Sequence, residues 1–82
     1  MEDSDKAKLK AFGDRVRELR LQMTPPLSQE KLALVSGLAR SYLGDIERGN
    51  RNIAILNIHR LAEALKIEPA RLLEPPTQKS GE

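Results

Sequence analysis

Gly37 most constrains what this chain can fold into, because it separates two apolar-patterned segments of about two turns each. Ser28 stands where an N-cap belongs, Glu30 falls in the first turn, and Leu32 and Val35 follow as the expected buried positions before the glycine. Ala39 to Arg48 forms the next segment, buries Leu43 and Ile46, and stops at Gly49-Asn50. Helices this short are unstable alone, so both must pack on neighbours, and Gly37 supplies the left-handed residue that turns one sharply into the other.

The neighbours are helical too. Leu9, Phe12, Val16, Leu19 and Met23 are spaced 3, 4, 3, 4, which predicts a helix from near Ser4 to Lys6 until Pro25-Pro26 ends it. After the polar loop Gly49 to Asn52, the positions Ile55, Ile58, Leu61, Ala62 and Leu65 again follow helical spacing. Pro69 then opens a short last helix containing Leu72 and Leu73. The expected fold is all-α, a compact five-helix bundle. Thirteen Leu and eight Ala against nine β-branched residues agree with it.

The expected domain covers residues 6–74, with residues 1–5 a disordered acidic N-terminus and 75–82 a mobile tail. A core of this size supplies only about 3–5 kcal/mol. No Cys is present, and His59 is the sole His, so disulfides and metal are not expected to supplement it, which leaves dimerisation. An enzyme is not expected either, for want of a nucleophile–base pair or a glycine-rich phosphate loop. No cofactor or small-molecule ligand is implied. The chain lacks an apolar run of membrane-spanning length, and Met-Glu-Asp-Ser-Asp reverses the basic start of a signal peptide, so the expected location is cytoplasmic.

The formal charge of +2 hides an uneven distribution. Residues 1–5 carry −3, residues 6–60 carry 11 basic against 5 acidic side chains, and residues 61–82 carry −1. The basic middle contains the two short helices.

From Gln29 to Arg48 a fixed set of residues appears. Ala33 is small where a following helix crosses closely, Gly37 lies four residues on, and Leu43 and Ile46 anchor the second helix. Together they describe a helix-turn-helix made by helices 2 and 3. In such a motif the N-terminal residues of the second helix face base edges in the major groove, which puts Arg40 and Ser41 first and Asp45 one turn on. Arg40 can grip guanine O6 and N7 or instead meet a phosphate, and Ser41 serves either base type. Asp45 can accept from cytosine, orient Arg40, or repel wrong sites. Gln29 opens helix 2, where free N–H groups and the positive dipole end suit a phosphate, and Ser28 caps that end. Arg48, Asn50, Arg51 and Asn52 flank Gly49 in a loop expected to meet the sugar-phosphate chain.

In Leu27-Ser28-Gln29-Glu30-Lys31-Leu32-Ala33, Gly37-Leu38, Tyr42-Leu43, Ile46-Glu47-Arg48-Gly49 and Leu61-Ala62-Glu63-Ala64-Leu65, the chain resembles the phage repressor/Cro-type helix-turn-helix family. The run Ala39 to Asn52 followed by Leu56-Asn57-Ile58 is most similar to controller proteins of restriction-modification systems, which are small homodimeric transcription regulators. The resemblance implies a phosphate contact at Gln29, a Tyr42 hydroxyl turned to the DNA backbone rather than into the core, and an orienting ion pair between Arg20 and Glu47.

Departures from the pattern are the long Thr24-Pro25-Pro26 connection, Ala54 in place of a capping Ser or Thr with Asn52 or water as the expected substitute, and Ser36 where an apolar residue is usual. The implied function is a homodimeric, sequence-specific regulator of double-stranded DNA acting on a pseudo-palindromic operator, with RNA polymerase a further partner. The dimer is expected to use Leu56, Ile67, Leu72 and Leu73. The competing reading is an antitoxin or protein-interaction module on the same fold.

Overall fold

The computed structural model describes residues 2–77. Four α-helices, α1 (Asp3–Gln22), α2 (Gln29–Ser36), α3 (Arg40–Glu47) and α4 (Ile55–Leu65), are followed by one 3₁₀ turn, Pro69–Leu73. No strand occurs among the described residues. The expected fifth helix is therefore corrected to this turn. Pro69 starts it, Pro75-Pro76 follows closely, and Leu72 is its single buried anchor, too little to sustain i→i−4 bonding.

Helix α1 begins at Asp3, so residues 3–5, expected to be disordered, form its first turn. Asp3 and Asp5 lie there at the positive end of the helix dipole. At the other terminus the expected tail boundary at residue 75 also shifts. The Thr77 hydroxyl and N–H both donate to the Glu18 carboxylate, at 2.6 and 3.0 Å, so residues up to 77 are tied to α1. The remainder of the tail expected to be mobile, residues 78–82, lies outside the described residues.

The core is built from Val16 and Leu19 of α1, Leu32 and Ala33 of α2, Leu43 and Ile46 of α3, and Ile58, Leu61, Ala62 and Leu65 of α4. Phe12 and Met23 extend the α1 stripe at its margins. Val35 departs from expectation, since it is 50% exposed: α2 has only two turns, and Leu32, Ala33 and Ser36 take its inward face. Ser36 fits there because its hydroxyl donates to the Ala33 carbonyl at 3.2 Å. No side chain caps α4, so Asn52 does not stand in for the missing Ser or Thr at Ala54.

Leu72 is fully buried, which removes it from the expected dimer surface. Ile67 is half-buried against the core, whereas Leu56 and Leu73 are exposed. Apolar surplus in the sequence does not say which leucine of a Leu-Leu pair turns inward.

A polar network underlies this end. Arg15, 3% exposed, donates to the Arg71 carbonyl at 2.9 Å, to Glu18 at 2.8 Å and to Glu74 at 2.8 Å. Buried side-chain nitrogen and oxygen atoms among the described residues all have hydrogen-bond partners.

Candidate nucleic-acid interface

The motif is assembled from local chemistry. The Ser28 hydroxyl accepts from the Lys31 N–H at 3.0 Å and caps α2. Gly37 ends α2 at φ +77°, and the Leu38 N–H returns to the Ala33 carbonyl at 3.1 Å. Leu43 and Ile46 then seat α3 while its opposite face stays in solvent.

Arg40 and Ser41 are exposed at the start of α3. Arg40 has only a loose approach to Glu30, 3.9 Å between two highly exposed side chains, and so remains available to a ligand. Asp45 is not beside Arg40 in any bond. It accepts instead from Arg48 and, at 3.3 Å, from the Arg51 Nε. The hydrogen bond from Arg48, then that from Arg51, lowers its carboxyl below the usual aspartate value. The expected orientation of Arg40 by Asp45 is therefore corrected, since the carboxylate is taken by Arg48 and Arg51.

Tyr42 is half-buried. Its hydroxyl accepts from the Asn57 Nδ2 at 3.2 Å, and the Arg51 guanidinium lies 5.5 Å from the ring centroid. Asn57 in turn accepts from Arg60 at 2.7 Å. Tyr42 therefore links the start of α4 to the loop arginine, while Asn50 and Asn52 are exposed on either side of Arg51.

Glu47 occupies the inner end of α3 and is 5% exposed. Arg20 grips it with two nitrogens, each at 2.8 Å, and spends its third on the Leu27 carbonyl at 2.8 Å. Gln29 adds a bond of 3.1 Å to the same carboxylate. One acid thus joins α1, the start of α2 and the end of α3. The Gln29 bond was not foreseen, because Gln29 read only as a phosphate ligand.

Two glycines complete the seat of α3. A Cβ added at Gly13 would stand 2.3 Å from the Ile46 carbonyl oxygen, and one at Gly49 would stand 2.9 Å from the Lys10 Cα. Gly13 interrupts the first helical pattern, a signal for close backbone approach that sequence reasoning passed over. The Arg15–Glu18–Glu74–Thr77 network was also missed, since its members are far apart in sequence.

The helix-turn-helix family model matches residues 16–72. Control protein C.BamHI of Bacillus amyloliquefaciens is 46% identical over 63 residues, 77% of this chain and 76% of that protein. The crystal structure of the restriction-modification controller protein C.AhdI from Aeromonas hydrophila is similar over 80% of this chain and 97% of that one, at 56% identity and a TM-score of 0.76. A hypothetical transcription factor from Neisseria, NHTF, aligns over 87% of this chain and 80% of its own, at 38% identity and a TM-score of 0.74. With the turn at Gly37, the anchored α3 and these likenesses in agreement, the chain belongs to the helix-turn-helix family and is related to restriction-modification control proteins.

Proposed function

We propose that the protein is a transcriptional regulator that binds double-stranded DNA sequence-specifically as a homodimer on a pseudo-palindromic operator, in the manner of a restriction-modification controller. The observation that carries this reading is the exposed start of α3, where Arg40 and Ser41 project from a helix anchored through Glu47 and flanked by the exposed cations Arg48 and Arg51. In this reading Arg40 and Ser41 read base edges, with Asp45 holding the two flanking arginines. Ser28, Gln29, Tyr42, Arg48, Asn50, Arg51 and Asn52 face the sugar-phosphate chain.

The dimer would bury Leu56, Ile67 and Leu73, with half-sites about 34–36 Å apart on one face of the duplex. No reaction is assigned, and the role is binding. The site of action would be the cytoplasm, with RNA polymerase as the partner through which binding is read out. No helix among the described residues is long and apolar enough to cross a membrane.

Selection of bound sites from a random duplex library tests the reading. A palindromic consensus with half-sites one helical turn apart is the expected result, and recovery of no consensus would refute sequence-specific binding.

A further inference from the structure

From Lys6 to Arg17, helix α1 carries five cations against one carboxylate, Asp14. At about 100° per residue, Lys6, Lys10, Gly13 and Arg17 share an arc of about 60°, whereas Lys8 and Arg15 lie on the opposite side. The opposite pair lies away from that arc: Arg15 is buried with Glu18 and Glu74, and Lys8 borders an apolar groove beside Phe12 and Leu72.

The first arc is the one turned to the recognition helix. Gly13 brings the α1 backbone against the Ile46 and Glu47 carbonyls, and Gly49 brings the following loop against the backbone of Lys10. The cations beside these glycines are thereby fixed next to the loop that bears Arg48 and Asn50. Two adjoining grooves run along the junction. One is lined by Lys10, Arg17, Gln29, Arg48 and Asn50, the other by Lys6, Lys10, Arg48 and Asn50. The carboxylates facing them are engaged: Asp14 pairs with Lys10, and Glu47 is held by Arg20 and Gln29. The Lys10–Asp14 pair lies at the surface, where water competes for both charges, so it does not hold the ammonium back from a phosphate.

We infer that Lys6, Lys10 and Arg17 form a second row of phosphate contacts, extending the duplex footprint from the Arg48 loop along α1. The inference rests on the DNA-binding reading above and adds a surface to it. The row carries affinity without base preference, because phosphates are the same at every step.

The test uses the full chain, a duplex of about three helical turns recovered by selection with the wild-type protein, and a scrambled duplex of the same composition. The double variant K6Q/K10Q and the variant Arg17→Gln should weaken both duplexes by the same factor. Each lost contact should reduce the steepness of log K against log salt by about 0.9, hence about 1.8 per dimer for Arg17→Gln. Arg17→Lys should restore the slope. A wild-type slope in both glutamine variants overturns the inference while leaving the DNA-binding reading intact. So does a lowered melting temperature with an unchanged slope, which would assign these cations to the carbonyl end of α3. A wild-type protein that binds neither duplex overturns both.

Discussion

Arg40 is the exposed guanidinium at the start of α3 with no tight internal partner. Replacing it by alanine should relax base preference at one position per half-site, at a cost of about 1–3 kcal/mol in discrimination. A binding logo unchanged from wild type would contradict that role. Arg51 sits in a different setting, over the Tyr42 ring and bonded to Asp45. Arg51→Ala should weaken all sequences alike and flatten the salt slope, as titration against cognate and scrambled duplexes would reveal. Asp45 supplies the pH prediction. Its folded-state value is depressed by the bonds from Arg48 and Arg51, so its contribution is present above the ordinary value of about 3.9 and disappears as pH falls below it. The clamp is ionised throughout neutral pH. Carboxyl-carbon NMR should follow its titration in the acid range, with Arg48→Gln moving the midpoint upward.

At the scale of elements, Gly37 and Gly13 are different physical cases. Gly37 has φ +77° and open space around an added Cβ, so Gly37→Ala should cost only the left-handed strain, about 1–2 kcal/mol. Gly13 lies in ordinary helical backbone but against the Ile46 carbonyl, so Gly13→Ala must push α1 from α3. Denaturant melts should show Gly13→Ala to be the more damaging of the two, with the Gly37 variant retaining the wild-type fold. Local periodicity made α1 to α4, the Ser28 cap and the Gly37 turn legible, because each depends on residues within a few positions. The Arg20–Glu47 pair came from the family pattern. The last turn was over-read as a helix, since Leu72 and Leu73 satisfy an apolar pattern without revealing how few of them the core can take.

At the scale of the whole molecule, the buried charged groups among the described residues form two separate clusters. Removing Arg20 leaves Glu47 buried with only Gln29, so Arg20→Met should destabilise the fold by about 3–5 kcal/mol. Unchanged stability with unchanged DNA affinity would argue against an orienting role for this pair. The second cluster ties residues 74 and 77 to α1: Thr77→Val removes the hydroxyl bond to Glu18 and should lower the melting temperature while leaving the salt slope of DNA binding unaltered. Contacts of this second kind link residues 59 positions apart, and no local pattern in the sequence announces them. The sequence nominated the residues of the candidate interface, but it did not disclose their partners within the fold. Asp45 with Arg48 and Arg51, and Tyr42 with Asn57, depend on how α4 returns beside α3.

The shared hold on Glu47 separates two properties that mutation could otherwise confuse. Arg20 and Gln29 seat the inner end of α3, whereas Arg40 and Ser41 lie at its outer start and touch none of that seat. Under the proposed DNA-binding reading, the two side chains offered to a groove can therefore be exchanged without refitting the mount that carries them. A lineage built this way can drift to a new target by changing two exposed side chains, and an engineer can do the same by grafting them.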